Sequence, residues 1–139
     1  MRCDLLTEFS IYLADRPGEL AGVLESLTVA GTHLAGVSVS VDESQRGLAR
    51  IIGAPEEAMR HVFEGIVDSG AGPVIEAPVL AVDVSDRPSA FRDIAGCLAA
   101  QGINVRYAYQ TPALNGFPAR CVFRVDEPEA ATPFVERLA

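Results

Sequence analysis

Apolar and polar residues alternate over Phe9, Ile11 and Leu13, with Ser10, Tyr12 and Ala14 between them. A period of two predicts a half-buried strand near residues 5–14. The period then lengthens. Leu20, Val23, Leu24 and Leu27 recur at helical spacing and predict a helix to about Ala30, stopped by Gly31 in a left-handed cap. Pro17 is expected at the first helical position, where its missing N–H costs nothing, and Glu19 in the first turn, where a carboxylate suits the helix dipole. Val37, Val39 and Val41 alternate with Ser38 and Ser40 and predict a second strand over 34–41. A polar turn from Asp42 to Gly47 leads into a strand over 48–53. Pro55, Glu56 and Glu57 then open a helix whose apolar stripe is Met59, Val62, Phe63 and Ile66. Ser69-Gly70 closes that helix, a short strand over 73–77 follows, and Pro78 is expected to separate the two repeats.

The pattern is then written a second time. Asp15-Arg16-Pro17-Gly18-Glu19-Leu20 recurs as Asp86-Arg87-Pro88-Ser89-Ala90-Phe91, with the first Asp moved from position 15 to 86. The flanks keep this offset: Phe9, Ile11 and Leu13 fall on Leu80, Val82 and Val84, Gly31 on Gly102, and His33 on Asn104. An internal repeat of this length marks one supersecondary unit used twice. The second copy is predicted to hold a strand over 79–84, a helix over 88–101, strands over 103–111 and 118–126, and a last helix from Pro128. The order strand-helix-strand-strand-helix-strand predicts an α+β fold. It is built from two ferredoxin-like units in tandem, 1–77 and 78–139, each an antiparallel sheet with helices on one face. Nothing after Ala139 supplies the second unit's last strand, so that strand is expected to be missing or to come from elsewhere, since bare sheet edges are usually covered. Leu34 and Val37 are out of phase for a flat strand, as are Val105 and Ala108, which predicts a bulge or a late strand start in each copy. Tyr107 and Tyr109 then lie on the face without helices, where a partner chain is the expected cover. Half-chains of about 70 residues are marginal alone, so mutual support and a homodimer are expected.

Composition narrows the function. With 49% hydrophobic and 22% charged residues, the 139-residue chain suits a packed globular protein. A net charge of −8 disfavours nucleic acid as a partner and leaves room for small zwitterionic or cationic ligands. Three cysteines, an odd count without CxxC spacing, predict neither a metal site nor a disulfide framework; Cys97 and Cys121 read as small apolar core residues. Met1-Arg2-Cys3-Asp4 is not the start of an apolar leader, and no apolar run is long enough to span a bilayer. No membrane partner and a cytoplasmic location are therefore expected. His33 has no nearby nucleophile in sequence, His61 reads as a solvated helix residue, and neither a phosphate-binding glycine loop nor an HExxH motif is present. Neither catalysis nor a cofactor is expected.

The segment Asp15–Leu20, followed by Leu27, Gly31 and the strand over 34–41, resembles an ACT domain. The second copy resembles the same family through Asp86-Arg87-Pro88, Gly102-Ile103-Asn104-Val105 and the strand after Pro118. The whole chain resembles small stand-alone proteins made of two ACT domains in tandem. That resemblance implies a regulatory module that binds a small molecule, most often an amino acid, at interfaces between neighbouring domains, and that acts on a regulated enzyme or transporter. It implies a site built from the loop after the first strand and the start of the second. Here those residues are Asp15, Arg16, Pro17, Gly18, Glu19 and Leu20 with His33, and Asp86, Arg87, Pro88, Ser89, Ala90 and Phe91 with Asn104. Ser89 stands where the family has Gly, and His33 where it has Asn. The chemistry fits a zwitterion: helix N–H groups for a carboxylate, Asp15 or Asp86 for an ammonium, and the Asn104 amide as donor and acceptor. A routine helix-opening turn uses the same residue types. Two other readings stand beside this one: a protein-interaction module acting through its sheet face or open edge, and a small enzyme of unknown reaction.

Overall fold

The computed structural model describes residues 1–84 and 87–138. Among them the chain forms six strands and four helices: β1 (Cys3–Leu13), α1 (Glu19–Val29), β2 (His33–Val41), β3 (Gly47–Ala54), α2 (Glu56–Asp68), β4 (Val74–Asp83), α3 (Ala90–Ala100), β5 (Val105–Thr111), β6 (Arg120–Val125) and α4 (Pro128–Glu136). They divide into two compact units, residues 8–77 and residues 1–7 with 78–139.

In the unit of residues 8–77, β3 lies between β1 and β2, and β4 flanks β1 on its other side. Phe9 pairs with Ile51 and Ile11 with Ala49 across the antiparallel β1–β3 ladder. Those side chains share one face, and with Leu13, Val23, Leu27, Met59 and Phe63 they make a single core beneath α1 and α2. The Phe9 and Phe63 rings stack at 5.0 Å. Burying a side chain of this size stabilises by about 1.5–3 kcal/mol. β2 shifts register against β3 between Leu34 and Gly36, the bulge that the phase of Leu34 and Val37 required. Beyond it Val37 lies opposite Ile51, on the helix side. β2 is nevertheless the outer strand, and Val39 stays 50% exposed.

The second unit repeats the arrangement. β6 lies between β4 and β5, with Leu80 opposite Phe123 and Val82 opposite Cys121. Its core joins these four to Val125, to Ile94 and Leu98 of α3, and to Ala131 and Val135 of α4. The bulge recurs between Val105 and Tyr107. The strand expected to be missing is present, because the chain's own first residues form it. β1 is a hydrogen-bonded neighbour of β4, Asp83 N–H donates to Arg2 O at 3.0 Å, and Cys3 is buried in this core. The corresponding bond in the other unit runs from Tyr12 N–H to Pro73 O at 3.1 Å.

The strands expected over 73–77 and 79–84 are one: β4 runs through Pro78 without a break. Proline forfeits only its N–H to a ladder, and the Pro78 carbonyl accepts from Arg124 Nη1 at 3.1 Å. Tyr107 and Tyr109 are half-buried rather than exposed. Val79, Ala81 and Val122, which stand outside the helix-side core, are already buried within one chain. Among the described residues no helix is long and apolar enough to cross a membrane.

Candidate functional site

The two repeated Asp-Arg-Pro segments open their helices by different turns. In the first, Gly18 adopts φ 91°, ψ −16°, and Glu19 N–H donates to Arg16 O at 3.4 Å. Pro at the second place and a left-handed residue at the third define a type II turn. Pro17 therefore belongs to the turn, and α1 begins only at Glu19, two residues later than the expected proline start. The left-handed backbone is what demands glycine here, since a Cβ on Gly18 would meet nothing within 4 Å. In the second copy Ser89 takes φ −91°, ψ 4°, with Ala90 N–H donating to Arg87 O at 3.1 Å, which is a type I turn. The two types differ by a flip of the central peptide, so the N–H groups of Gly18 and Ser89 point to opposite sides of their turns.

The side chains diverge in step. Arg16 Nε donates to Glu19 Oε1 at 3.1 Å on an exposed surface. Arg87 has Ala90 at the place of Glu19 and reaches instead to Asp93, Nη2 to Oδ2 at 3.0 Å. Ser89 Oγ donates to the same oxygen at 2.8 Å, and Arg92 Nη2 to Oδ1 at 3.2 Å. The Ser89 hydroxyl, and after it the Arg87 guanidinium, hold the Asp93 carboxyl below the usual range. At the place of Asp93 the first copy has Gly22, where an added Cβ would meet nothing within 4 Å. The first turn of α3 is thus filled by its own carboxylate, while that of α1 is open. A cleft of about 240 Å³ lies there, lined by Leu13, Gly18, Glu19, Gly22, Val23, Ser26, Ile66 and Ala71.

Beside it, in the same unit, is a larger cleft of about 550 Å³. Tyr12, Leu13 and Ala14 line it from the end of β1, Arg16 and Glu19 from the turn, Arg46 from the β2–β3 hairpin, and Ser69, Gly70, Ala71 and Gly72 from the segment after α2. Each wall has a local cause. α2 stops in a Schellman motif, with Gly70 at φ 99° and Ala71 N–H donating to Ile66 O at 3.2 Å. The hairpin is held by Asp42, whose Oδ1 accepts from Ser44 N–H at 3.0 Å and Arg46 N–H at 2.9 Å. The Ser44 hydroxyl and the Arg46 N–H hold the Asp42 carboxyl below its usual range. The Arg46 guanidinium then rests 4.3 Å from the centre of the Tyr12 ring, a cation–π contact.

Residues 5–137 match the family described as the ACT domain pair. The chain belongs to this family. No curated protein sequence matches it. Solved structures share its fold. A protein from Bacteroides thetaiotaomicron superposes with a TM-score of 0.77 at 20% identity, covering 96% of this chain and 88% of that one. The regulatory subunits of aspartate kinase from Thermus thermophilus and Thermus flavus give TM-scores of 0.66 and 0.64, each at 17% identity over 98% of this chain and 94% of theirs.

Within this ACT domain pair the sequence-predicted residues scatter. Arg16 and Glu19 line the larger cleft, and Gly18 and Glu19 the smaller. Asp15 and Pro17 are exposed on the turn. Leu20 packs against the first core, Ala90 is buried in the second unit, and the Phe91 ring lies tilted against Phe123 at 5.0 Å. His33 and Asn104 are exposed at the starts of β2 and β5, and Arg87 and Ser89 hold Asp93. Asp86 lies outside the described residues. Tyr12, Arg46 and the 69–72 segment escaped the sequence reading. The Asp42-x-Ser44 turn preceding an arginine was the signal that could have found Arg46. Among the described residues no group of three or more His, Cys, Asp or Glu could hold a metal ion. Burial pushes the Cys3 thiol up to about 11, with the Glu136 charge adding to the shift, so it stays protonated and unreactive.

Proposed function

We propose that this ACT domain pair is a regulatory protein that senses a free amino acid, or a close relative, and has no catalysis of its own. One observation carries the reading: the first unit's cleft combines two guanidinium groups, a carboxylate and an aromatic ring at the turn that opens α1. Its volume of about 550 Å³ falls in the range of small-molecule sites, roughly 300–1,000 Å³. Glu19 can accept an α-ammonium and Arg16 can donate to an α-carboxylate. The two are neighbours in sequence and already bonded to each other, so a zwitterion replaces one internal pair by two. The sensed state would be passed to an enzyme or transporter, and the cytoplasm is the proposed setting. Isothermal titration of the twenty amino acids into the full chain tests this. Binding of at least one, weakened by Glu19→Gln, is the expected result; no binding by any amino acid would overturn the reading.

A second property concerns assembly. β2 is an outer strand, and Val37, Val39 and Val41 are exposed along it. The run Val37-Ser38-Val39-Ser40-Val41 reads the same in both directions. Antiparallel pairing about Val39 would set valine against valine and serine against serine, with no charge apposed on a chain of net −8. We propose a homodimer through this strand. Light scattering should give twice the 14.7 kDa chain mass, and Val39→Lys should halve it.

A further inference from the structure

Resting on the amino-acid reading above, the charge balance of the larger cleft narrows the ligand further: we infer that it is an anionic, dicarboxylic amino acid whose side-chain carboxylate is read by Arg46. The ionisable residues lining the cleft are Arg16, Glu19 and Arg46, for a net charge of +1. Arg16 and Glu19 form one pair, complementary to the α-carboxylate and α-ammonium that every amino acid carries. Arg46 is the remaining cation of the lining; its ion-pair partner Asp42 stands outside the cleft, so a neutral ligand side chain gives its two Nη groups no charged counterpart there.

Arg46 is also held in place more firmly than an exposed arginine ordinarily is. Its N–H donates to Asp42, its carbonyl accepts from Asp42 N–H at 2.9 Å, its Nε donates to Ser44 Oγ at 3.3 Å, and the guanidinium stacks on Tyr12. The Asp42 carboxylate lies 3.6 Å from Nε, and Asp42 does not line the cleft. A guanidinium has five N–H donors in a planar fork that matches a carboxylate, and the described hydrogen bonds engage only Nε. Little side-chain freedom remains to be lost when a ligand carboxylate arrives.

The second unit lacks this set. Asp83 stands at the ladder position of Tyr12: the two N–H groups donate to Arg2 O and Pro73 O respectively. The cleft beside Asp83 measures about 190 Å³, and its lining acids Asp4 and Asp83 offset Arg2 and Arg120. It is smaller and its described lining is electrically balanced, so the excess positive charge belongs to the first unit's cleft.

Isothermal titration of the full chain with L-glutamate, L-aspartate, L-glutamine, L-asparagine and L-lysine tests the inference. The dicarboxylic pair should bind at least tenfold more tightly than the amides, with one site per chain. Arg46→Gln should abolish that preference by bringing the affinity for the acids down to that for the amides. Arg46→Lys, which keeps the charge and loses the fork, should retain part of it, and circular dichroism of each variant guards against misfolding. Equal affinity for acids and amides, or a preference untouched in Arg46→Gln, would overturn the inference and leave the amino-acid reading standing. Binding by none of the twenty amino acids would overturn both.

Discussion

Arg16-Pro17-Gly18-Glu19 and Arg87-Pro88-Ser89-Ala90 hold equivalent places in their units, yet one residue type sends them apart. Gly18 permits φ 91° and a type II turn; Ser89 stays at φ −91° in a type I turn. The consequence reaches the next turn of each helix. Ser89 and Arg87 converge on Asp93, whereas Gly18 is followed by Gly22 and open space. Duplication supplied two copies of one helix-opening loop. Three differences, Gly18 for Ser89, Glu19 for Ala90 and Gly22 for Asp93, leave the first open where the second is filled by an internal carboxylate. The loop motif shows Ser89 in place of Gly18 but not the carboxylate that Ser89 holds.

The comparison can be broken at several levels, beginning with the units themselves. A polypeptide of residues 78–139 lacks the strand formed by residues 3–7, so its sheet loses a ladder and its core loses Cys3. It is expected to show no cooperative thermal transition. The Met1 amine donates to Glu136 O at 3.1 Å, so residues 1–7 joined behind residue 139 through a short linker should restore the transition. Equal behaviour of the two polypeptides by calorimetry would refute the strand's role.

At the turns the effect is smaller. Gly18→Ala forces an L-residue to φ 91° and should cost about 1–2 kcal/mol in urea unfolding. Ser89→Ala keeps its backbone and loses one hydrogen bond, about 0.5–1.5 kcal/mol. A smaller loss for Gly18→Ala than for Ser89→Ala would mean that the turn types do not matter to stability.

Acid titration isolates Asp93. A carboxyl whose folded pKa is depressed contributes stability that is complete above its unfolded value, about 3.9, and lost as pH falls through the lower folded value. Asp93→Asn should therefore flatten the acid limb of the stability curve below about pH 4 and be most destabilising near neutrality. Gly22→Asp, the reciprocal change, should not steepen that limb, since Gly18 provides no hydroxyl. An unchanged acid limb in Asp93→Asn would remove the internal-carboxylate account. Least of all, Arg46→Gln should cost no more than about 0.5–1 kcal/mol, the worth of an exposed cation–π contact, so that any large loss of ligand affinity in that variant reports on binding rather than folding.

How much of this was legible beforehand differs by feature. The period-two and period-3.6 runs announced the elements, and the out-of-phase pairs Leu34/Val37 and Val105/Ala108 announced both bulges, because side-chain phase is a local property of the backbone. Gly31 and Gly102 announced their caps for the same reason: at φ 81° and 68° only glycine is unstrained. The helix-opening turn of the first copy was legible as a turn, while the residue at which α1 starts was not.

Other features needed long-range partners. The strand formed by residues 3–7 belongs with a sheet some eighty positions away, and nothing in its own composition names that neighbour. Pro78 punctuates the sequence between the repeats, whereas the acceptor role of its carbonyl within a continuous strand depends on Arg124, 46 residues on. Asp93 bears no mark in the sequence, although Arg87 and Ser89, which reach it, are only six and four positions away. Arg46 and Tyr12 are 34 positions apart and became one wall of a cleft only when β1 and β3 paired Tyr12 with Leu48. Sequence by itself determined the repeated α+β unit and its bulges and caps, since these follow from backbone preference and side-chain period. Only the tertiary structure decided which copy keeps its helix-opening turn unfilled, because that depends on which charged groups the fold brings together.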